Sequence, residues 1–420
     1  MTVPAQRYSD TGGDPAGVDL ADPAFWQLPP ERRLEAFARL RALDGPRYFA
    51  EGRGRGHWAL VRHADVQEAS RNPKVFASAP GVTTPEPARW VRALFGDSMV
   101  NLDGADHAQL RRIVQRAFTP RLLAAAEDDV HAVAARIVDD VLADRPDEFV
   151  TAVASRLPLE VICNMMGIPE RYRPEIADRV NHASENIGVE RGLAARMRIP
   201  GRGLRALARM QRMVAGIGRE RRRDPGDDLI SALVTANVDG QALGARQLGA
   251  FFSLLMVAGV ETTRNAITHG LALLTDHPEQ RELLVSDFER YADGAVEEMI
   301  RHSTPIIQFR RTVRTEHDLG GRTFVPGEKV VLYYASANRD EAVFADPDAF
   351  DITRSPNPHL GFGGGGPHFC LGAHLARVEM KALFRELLAR PRGLRAVGLP
   401  DLAGSNFDNR VRSLKFAFDH

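Results

Sequence analysis

A glycine-rich stretch near the C-terminus places a cysteine where it could do chemistry. The sequence HLGFGGGGPHFCLGAHLAR runs from His359 to Arg377 and contains Cys370, one of only two cysteines among 420 residues. Its glycines, Gly361 to Gly366, match the pattern G-x-G-x-x-G, which is typical of loops that bind a dinucleotide phosphate. The loop could therefore bind a phosphate or present a sulfur atom.

The context of the glycines disfavours phosphate. A dinucleotide fingerprint needs a strand before the glycines and a helix directly after them. Here SPNPH precedes them, which is poor strand material, and Pro367 interrupts the passage into the helix. A zinc site formed by His368, Cys370 and His374 is also a weak match, because structural zinc sites use four ligands in spaced pairs.

Cys370 has instead the surroundings of a reactive thiol. It lies between the glycine loop and a helix that we expect to begin at Cys370 or Leu371 and to end near Leu388. A helix N-terminus and unsatisfied backbone N–H groups lower the pKa of a thiol, and a thiolate held in this way is a good axial ligand for haem iron. Cys163 lies in the apolar helical run LEVICNMMGI, which predicts a buried structural cysteine.

The elements that must position this loop are mostly helical, with a minor sheet, which predicts a mainly α fold of the α+β class. The stretch GHWALVRHADVQEAS predicts a strand from His57 to Arg62 and a helix opened at His63. A long apolar helix is expected from Arg246 to Thr275, and a second helix ends near His302. The following stretch, FRRTVRTEHDLGGRTFVPGEKVVLYYAS, alternates and predicts a small sheet.

Composition bounds the class of protein. Hydrophobic residues make up 44 % of the chain, and 55 basic residues balance 55 acidic ones, so nothing in the charge indicates a nucleic-acid partner. Residues 1–20 predict a loose lead-in and residues 21–420 a single domain. The N-terminal segment has no apolar run, and Gln247 to Val260 is too short to span a bilayer, so we expect neither a secretory signal nor a membrane anchor and a cytoplasmic location.

An arginine-rich segment, residues 191–223, is split by Pro200-Gly201 into two helical parts. The simpler interpretation is a solvated helical face. The alternative is a surface that recognises a carboxylate or the phosphopantetheine of a carrier protein.

The residues around Cys370 resemble the haem-binding loop of the cytochrome P450 family. That loop has a Phe, a glycine-rich turn, a His two residues before the Cys and a Gly two residues after it, here Phe362, Gly366, His368 and Gly372. The common form places the Phe seven residues before the Cys, whereas Phe362 is eight before, so this loop is one Gly longer. Some actinobacterial members that oxidise lipids and sterols look like this.

A Glu-x-x-Arg motif adds to the resemblance. Glu298 and Arg301 lie one helical turn apart in AVEEMIR and can pair on one face. In the family this pair is buried and is completed by an Arg in the loop before the Cys, which Arg354 in DPDAFDITR matches. The resemblance implies that the three residues are structural, and a buried set of charges needs every member.

The apolar helix carries AGVETT, Ala258 to Thr263, in its middle. An acid and an alcohol there are costly without a purpose. The resemblance implies that Thr262 and Glu261 are the alcohol and acid that organise proton delivery, with Ala258 and Gly259 beside the cofactor. A mid-helix Thr can bond back to the carbonyl four residues earlier, here Ala258, and so open the helix.

The two haem propionates of the family need cations. His107 and Arg111 in DHAQLRR lie four residues apart on one helical face, and the matching pair in the family contacts a propionate. Arg310 matches the family's propionate-binding Arg by its distance from the Gly320 turn, with Arg311 as the competitor. His368 is the third expected contact.

The resemblance extends from about Asp22 to the C-terminus and implies a cytochrome P450 fold that binds haem b. It implies a haem-thiolate monooxygenase that uses O2 to hydroxylate an unactivated C–H bond of a hydrophobic lipid, sterol or isoprenoid-like substrate. No flavin or iron–sulfur segment is present, so electrons would come from NAD(P)H through a reductase and a separate ferredoxin or flavodoxin. A docking patch is expected at Arg111, Arg112, Arg116 and Arg121, and the protein is expected to be a monomer.

The first alternative is a tailoring oxidase of a polyketide, macrolide or terpenoid. A peroxide-driven peroxygenase and a non-catalytic haem binder are further alternatives, and the presence of the Glu261-Thr262 pair argues against both. By family analogy the expected substrate contacts are mostly apolar, which favours a hydrophobic substrate. They are Trp90, Leu94, Phe95, Val257, Ala258, Ile306, Ile307 and Phe407.

Overall fold

The computed structural model describes residues 17–52, 55–84, 98–177, 201–235 and 244–419. Helices dominate these ranges, as the sequence predicts. They are α1 Pro30–Ala42, α2 His63–Arg71, α3 Gly104–Ala117, α4 Pro120–Asp144, α5 Arg156–Met165, α6 Gly201–Arg223, α7 Leu229–Thr235, α8 Ala245–Leu255, α9 Glu261–Asp276, α10 Pro278–Ser286, α11 Phe288–Ser303, α12 Tyr334–Ala337 and α13 Ala373–Ala389. Within the described ranges no helix is both long enough and apolar enough to cross a membrane.

The strands form one larger sheet and two hairpins. They are β1 Arg47–Gly52, β2 Arg55–Leu60, β3 Phe76–Ala77, β4 Gln308–Val313, β5 His317–Leu319, β6 Arg322–Phe324, β7 Lys329–Tyr333, β8 Arg395–Leu402 and β9 Val411–Ala417. The larger sheet has the order β1-β2-β7-β4-β3, in which only β2 and β7 pair in parallel. The pairs β5–β6 and β8–β9 are antiparallel hairpins.

The predicted long helix is interrupted. α8 and α9 are joined by a π-helical turn, Met256–Val260, which lies at the start of the AGVETT motif. A π-helical turn inside an α-helix often marks a functional site. The expected helix ending near His302 is two helices, α10 and α11, of which the second ends at Ser303.

Two helical cores meet at α5, which contributes buried side chains to both. One buries side chains of α4, α9, α11 and α13 together with the β9 strand. The other buries side chains of α3, α5, α6, α7 and α8. Cys163, on α5, is fully buried in the second core, and burial raises the pKa of its thiol to about 11, which confirms its predicted structural role.

The arginine-rich helix α6 begins at Gly201, directly after Pro200, as predicted. It buries Val214 and Ile217 in the core. Its arginines Arg209, Arg212, Arg219, Arg222 and Arg223 are exposed. This part of the segment is therefore the solvated face that the sequence favours, while residues 191–200 lie outside the described ranges.

Candidate active site

Cys370 closes a tight turn made by the glycine loop. Its backbone N–H donates to the carbonyl of Phe362 at 3.0 Å, and the N–H of Gly363 donates to Leu360 at 2.9 Å. Gly363, Gly365 and Gly366 all have positive φ angles, between 77° and 96°, a conformation that side chains other than glycine rarely adopt. The glycines therefore turn the chain back on itself, so that the backbone of Cys370 meets that of Phe362.

The glycine loop packs against the end of α2. A Cβ on Gly364 would lie 2.7 Å from Ser70, and one on Gly366 would lie 2.9 Å from the Ser70 carbonyl. The guanidinium of Arg71 donates to the carbonyl of Gly364 at 3.1 Å. The close contact with α2 leaves no room for side chains at these two positions of the loop. This contact accounts for the glycines without phosphate binding.

Helix α13 starts two or three residues later than expected, at Ala373, with Gly372 as its N-cap. Cys370 thus precedes the helix and does not open it. The backbone N–H of Gly372 hydrogen-bonds to the thiol, so the helix N-terminus still points a donor at the sulfur.

The thiol pKa is raised, not lowered as the sequence predicts. Protein atoms around Cys370 desolvate the thiol, and this burial outweighs the Gly372 N–H and the positive charges of Arg111 and Arg377. The surroundings thus favour a thiolate without being sufficient to produce one. A coordinating metal deprotonates a thiol outright, so these groups support a metal–thiolate bond once a metal is bound.

The sequence neighbours of Cys370 do not converge on a metal. His374 lies 2.7 Å from Glu127, and His368 Nε2 lies 3.1 Å from Ser78 Oγ. Among the residues that the structure describes, no group of three or more His, Cys, Asp and Glu side chains is arranged to hold a metal ion. Cys370 is therefore a single thiol, reached by solvent although the surrounding protein atoms desolvate it.

The π-helical turn presents Thr262 as the sequence predicts. The Thr262 hydroxyl donates to the carbonyl of Ala258 at 2.6 Å, and Ala258 is exposed although α8 and α9 are otherwise largely buried. A Cβ on Gly259 would collide with Ile162 of α5, and the predicted place of Gly259 beside the cofactor stays a prediction. Glycine is needed here for close approach of two helices.

Glu261 is buried and ion-paired. Arg264, one turn further along α9, donates to Glu261 Oε2 at 2.7 Å. Arg410 Nε lies 3.6 Å from the same oxygen. Two guanidinium groups therefore lie against the acid predicted to work with Thr262, and the contact with Arg410 was not predicted.

The predicted propionate contacts form a cluster around two imidazoles. The rings of His107 and His368 lie 4.2 Å apart, and Asp103 lies 3.6 Å from His368. Burial, with the nearby charges of His368 and Arg111, lowers the pKa of His107 to about 4. Burial lowers the pKa of His368 as well. The two histidines are therefore neutral hydrogen-bonding groups at pH 7, and the arginines carry the charge.

Both candidate arginines of β4 are buried. Arg310 lies close to the carbonyl of Gly81, at 3.5 Å. The charge of Arg311 acts on both His368 and Asp103, so Arg311 belongs electrostatically to the His107–His368 cluster. Asp103 is the member that the sequence analysis missed. Burial tends to raise its pKa, but the contacts with His368 and with the backbone N–H groups of Ala79 and Ser78 lower it.

The Glu298, Arg301 and Arg354 side chains meet as predicted. Arg301 donates to both oxygens of Glu298, at 2.7 and 2.8 Å, and both residues are fully buried. Arg354 Nε donates to Glu298 at 3.1 Å. Asn357 also donates to Glu298, at 3.0 Å, and this amide was not predicted. The cluster ties α11 to the chain that leads to Cys370.

The predicted substrate contacts have different outcomes. Ile306 and Phe407 are half-buried. Their segments lie side by side, because Ile306 forms a backbone bridge with Asp408 and the N–H of Ile307 donates to the carbonyl of Phe407. Ile307 is wrong as a substrate contact, because its side chain is 1 % exposed in the core beneath α1, on the other side of the chain from Ile306. Trp90, Leu94, Phe95 and the side chain of Val257 lie outside the described residues.

Comparison with known proteins places this site in a family. The family model described as cytochrome P450 matches residues 206–390. The methyl-branched lipid omega-hydroxylase of Mycobacterium tuberculosis is 41 % identical over 411 residues, which cover 95 % of this chain and 94 % of that protein. The chain belongs to the cytochrome P450 family.

Other relatives of this P450 agree. The steroid C26-monooxygenase of Mycolicibacterium smegmatis is 34 % identical over 85 % of this chain and 82 % of that protein. A solved structure of Mycobacterium marinum cytochrome P450 CYP268A2 in complex with pseudoionone matches with a TM-score of 0.87 and 38 % identity, covering 96 % of this chain and 98 % of that one. The P450 is therefore a monooxygenase of a family that uses haem, O2 and a redox partner to hydroxylate hydrophobic substrates.

The residues present fit a haem. An accessible thiol that accepts from an N–H donor and feels the positive charges of two arginines would suit a ligand of haem iron. An uncovered Ala258 on a distorted helix, and a cluster of arginines and neutral imidazoles, suit a flat apolar group with acidic substituents.

Proposed function

We propose that this P450 hydroxylates a terminal, unactivated C–H bond of a methyl-branched hydrophobic substrate, of the lipid, sterol or isoprenoid class. The observation that carries the proposal is 41 % identity, over almost the whole chain, with a methyl-branched lipid omega-hydroxylase. The half-buried apolar side chains of Ile306 and Phe407 are in keeping with such a substrate.

The cofactor in this proposal is haem b, whose iron the Cys370 sulfur would hold. The N–H of Gly372 and the charges of Arg111 and Arg377 stabilise the thiolate form. Arg111, Arg310 and Arg311 supply positive charge for the propionates. His107 and His368 take part as neutral hydrogen-bond partners, since the pKa of each is lowered.

When bound, the haem supplies the O2 chemistry that inserts oxygen into a C–H bond. The side chains of the central helix manage the protons that this reaction consumes. The Thr262 hydroxyl donates a hydrogen bond to the carbonyl of Ala258, so the hydroxyl oxygen is oriented to accept a hydrogen bond from another group. Glu261 receives protons from water and passes them towards Thr262, a role that requires its carboxylate to move relative to Arg264.

The electrons come from NAD(P)H through a reductase and a ferredoxin or flavodoxin, in the cytoplasm, to a monomeric P450. The proposed docking surface is the set of exposed arginines Arg112, Arg116 and Arg121 on α3 and α4, next to the half-buried Arg111. Charge reversal of Arg112 and Arg116 should slow reduction by the partner and leave reduction by dithionite unchanged.

Spectroscopy of two cysteine variants tests the ligand. The reduced protein with CO should give the red-shifted Soret band of thiolate-ligated haem. Cys370→Ser should lose this band, whereas Cys163→Ser, at the buried structural cysteine, should keep it. A normal band in Cys370→Ser would exclude Cys370 as the ligand.

A substrate screen tests the substrate class. Spin-state titrations with methyl-branched fatty acids, steroids, isoprenoids and macrolides should show the tightest binding for a methyl-branched chain, and mass spectrometry should find one added oxygen at its end. Preferential binding and oxidation of a macrolide would favour a natural-product tailoring oxidase instead. Turnover with peroxide but none with reductase and ferredoxin would favour a peroxygenase.

A further inference from the structure

A buried cluster of four charged side chains joins the central helix to the segment that carries Phe407. Its members are two acids and two guanidinium groups, so the cluster has no net charge, and each is at most 5 % exposed. They are Glu261, Arg264, Asp408 and Arg410. Charges buried this deeply are costly unless each has partners of opposite sign, so the pairing within the cluster determines where each group lies.

The four groups are connected unequally. Arg264 donates to Glu261 Oε2 at 2.7 Å, and Arg410 donates to Asp408 Oδ2 at 2.6 Å. The link between the two pairs is longer, because Arg410 Nε lies 3.6 Å from Glu261 Oε2, beyond hydrogen-bonding distance. Arg410 is thus bound firmly to its own segment and only electrostatically to the acid of the central helix.

The segment that carries Asp408 and Arg410 is fixed to the start of β4. Asp408 forms a backbone bridge with Ile306, and the N–H of Ile307 donates to the carbonyl of Phe407 at 2.8 Å. The Ser405 hydroxyl accepts from the N–H groups of Phe407 and Asp408. A displacement of Phe407 or Ile306 is therefore transmitted through this paired backbone to Asp408.

We propose that Arg410 is a positioning residue that couples the substrate-contacting segment to the Glu261 carboxylate. Substrate seated against Phe407 and Ile306 fixes Asp408 and hence Arg410. Arg410 in turn sets how far Glu261 is drawn away from Arg264 and from the path of proton delivery. This inference rests on the proposed function, in which Glu261 carries protons and Phe407 and Ile306 contact the substrate.

The coupling matters for how the electrons are used. Productive turnover converts R–H, O2, two protons and two electrons into R–OH and H2O. When protons are delivered without a correctly bound substrate, two electrons and two protons convert O2 into H2O2 and the substrate is not oxidised. A device that links proton delivery to a bound substrate raises the yield of product per O2 without changing substrate affinity.

The double variant Asp408→Asn/Arg410→Gln tests the coupling. It removes one acid and one base, so the cluster stays neutral, and it leaves the Glu261–Arg264 pair in place. We expect haem content and the substrate dissociation constant to stay within about twofold of the native values, while product per O2 falls severalfold and H2O2 release rises. The single variant Arg410→Lys keeps the positive charge, and its product yield should lie between those of the double variant and the native protein.

Infrared difference spectra give a readout that does not depend on turnover. The spectrum with substrate minus that without should contain a carboxylate band, assigned by its loss in Glu261→Gln. The band should persist in Arg412→Gln, at an exposed arginine of β9 two residues after Arg410, and should disappear in the double variant.

The outcomes separate this inference from the proposed function. A double variant that binds substrate with native product yield and a native carboxylate band overturns the role of Arg410. A double variant with weaker substrate binding or lower stability but native product yield shows a merely structural cluster. A native protein that gives no oxygenated product with any substrate instead overturns the proposed function.

Discussion

At the scale of single residues, burial decides the charge of the site more than sequence neighbours do. The thiol of Cys370 has three favourable partners, yet its pKa is raised because protein atoms desolvate it. His107 was predicted as a propionate partner among cations, and burial leaves it neutral with a pKa of about 4. A sequence motif identifies which residue types meet, but the solvation that sets their protonation depends on packing.

Glu379 shows the same effect on a residue that no motif identified. It lies on α13, is 2 % exposed and hydrogen-bonds to Thr263, next to Thr262. Burial raises its pKa to about 8, against which the Thr263 bond acts only weakly. The carboxyl is therefore protonated in the folded protein at pH 7.

This protonation predicts an unusual dependence of stability on pH. Between about pH 4.5 and 8 the unfolded chain loses the Glu379 proton and the folded chain keeps it, so the free energy of unfolding falls as pH rises. Glu379→Gln is neutral at every pH. We expect the variant to match the native protein near pH 5 and to be more stable than it by a few kcal/mol at pH 9.

Denaturant unfolding of the haem-loaded protein at pH 5, 7 and 9 measures this difference. Glu386→Gln, on the more exposed side of the same helix, is the control, and no gain at high pH is expected there. A constant difference between Glu379→Gln and the native protein at all three pH values would show that Glu379 ionises normally.

At the scale of elements, the sequence predicts the kinds of structure well and their interruptions poorly. The strand before His63, the start of α2 at His63 and the end of α11 near His302 follow from periodicity and capping. The π-helical turn Met256–Val260 does not, because an apolar run has no sequence signal for an extra residue per turn. The back-bond from Thr262 to Ala258 was predicted from side-chain chemistry alone.

The glycine of this turn gives a test of why it is needed. Gly259→Ala adds a methyl group that would collide with the Cδ1 atom of Ile162. We expect a loss of about 1–3 kcal/mol in the free energy of unfolding, since overpacking a tight core costs this much. Ile162→Val removes only that atom, so the double variant Gly259→Ala/Ile162→Val should be more stable than the sum of the single changes predicts.

Additive losses in this double-mutant cycle would show that Gly259 acts elsewhere than at the contact with α5. Haem content, measured in the same four proteins, gives the second comparison. If Gly259 were needed for the cofactor, Gly259→Ala would lose haem and Ile162→Val would not restore it.

At the scale of the whole molecule, the chain uses backbone carbonyl groups to hold the long loop between α12 and α13. Arg301 donates to the carbonyls of Asn338, Pro347 and Ala349, and the N–H of Leu360 donates to the Asn338 side chain. Of the three charged residues of this cluster, spacing predicts the pairing of Glu298 with Arg301, and the family resemblance implies Arg354. The carbonyl contacts could not be predicted, because every residue has a carbonyl and only the path of the loop selects which ones meet Arg301.

Replacing Arg301 by lysine tests how much of the fold depends on this cluster. Arg301 uses its planar guanidinium to bind both oxygens of Glu298 and three carbonyls at once, a geometry that an ammonium group cannot reproduce. Breaking a buried charge cluster costs about 3–5 kcal/mol. Arg301→Lys should therefore lose most of the stability of the haem-loaded protein, as measured by denaturant unfolding. Arg290→Lys, at an exposed arginine on the same helix, should change it by less than about 0.5 kcal/mol, and equal effects of the two variants would contradict a central role for the cluster.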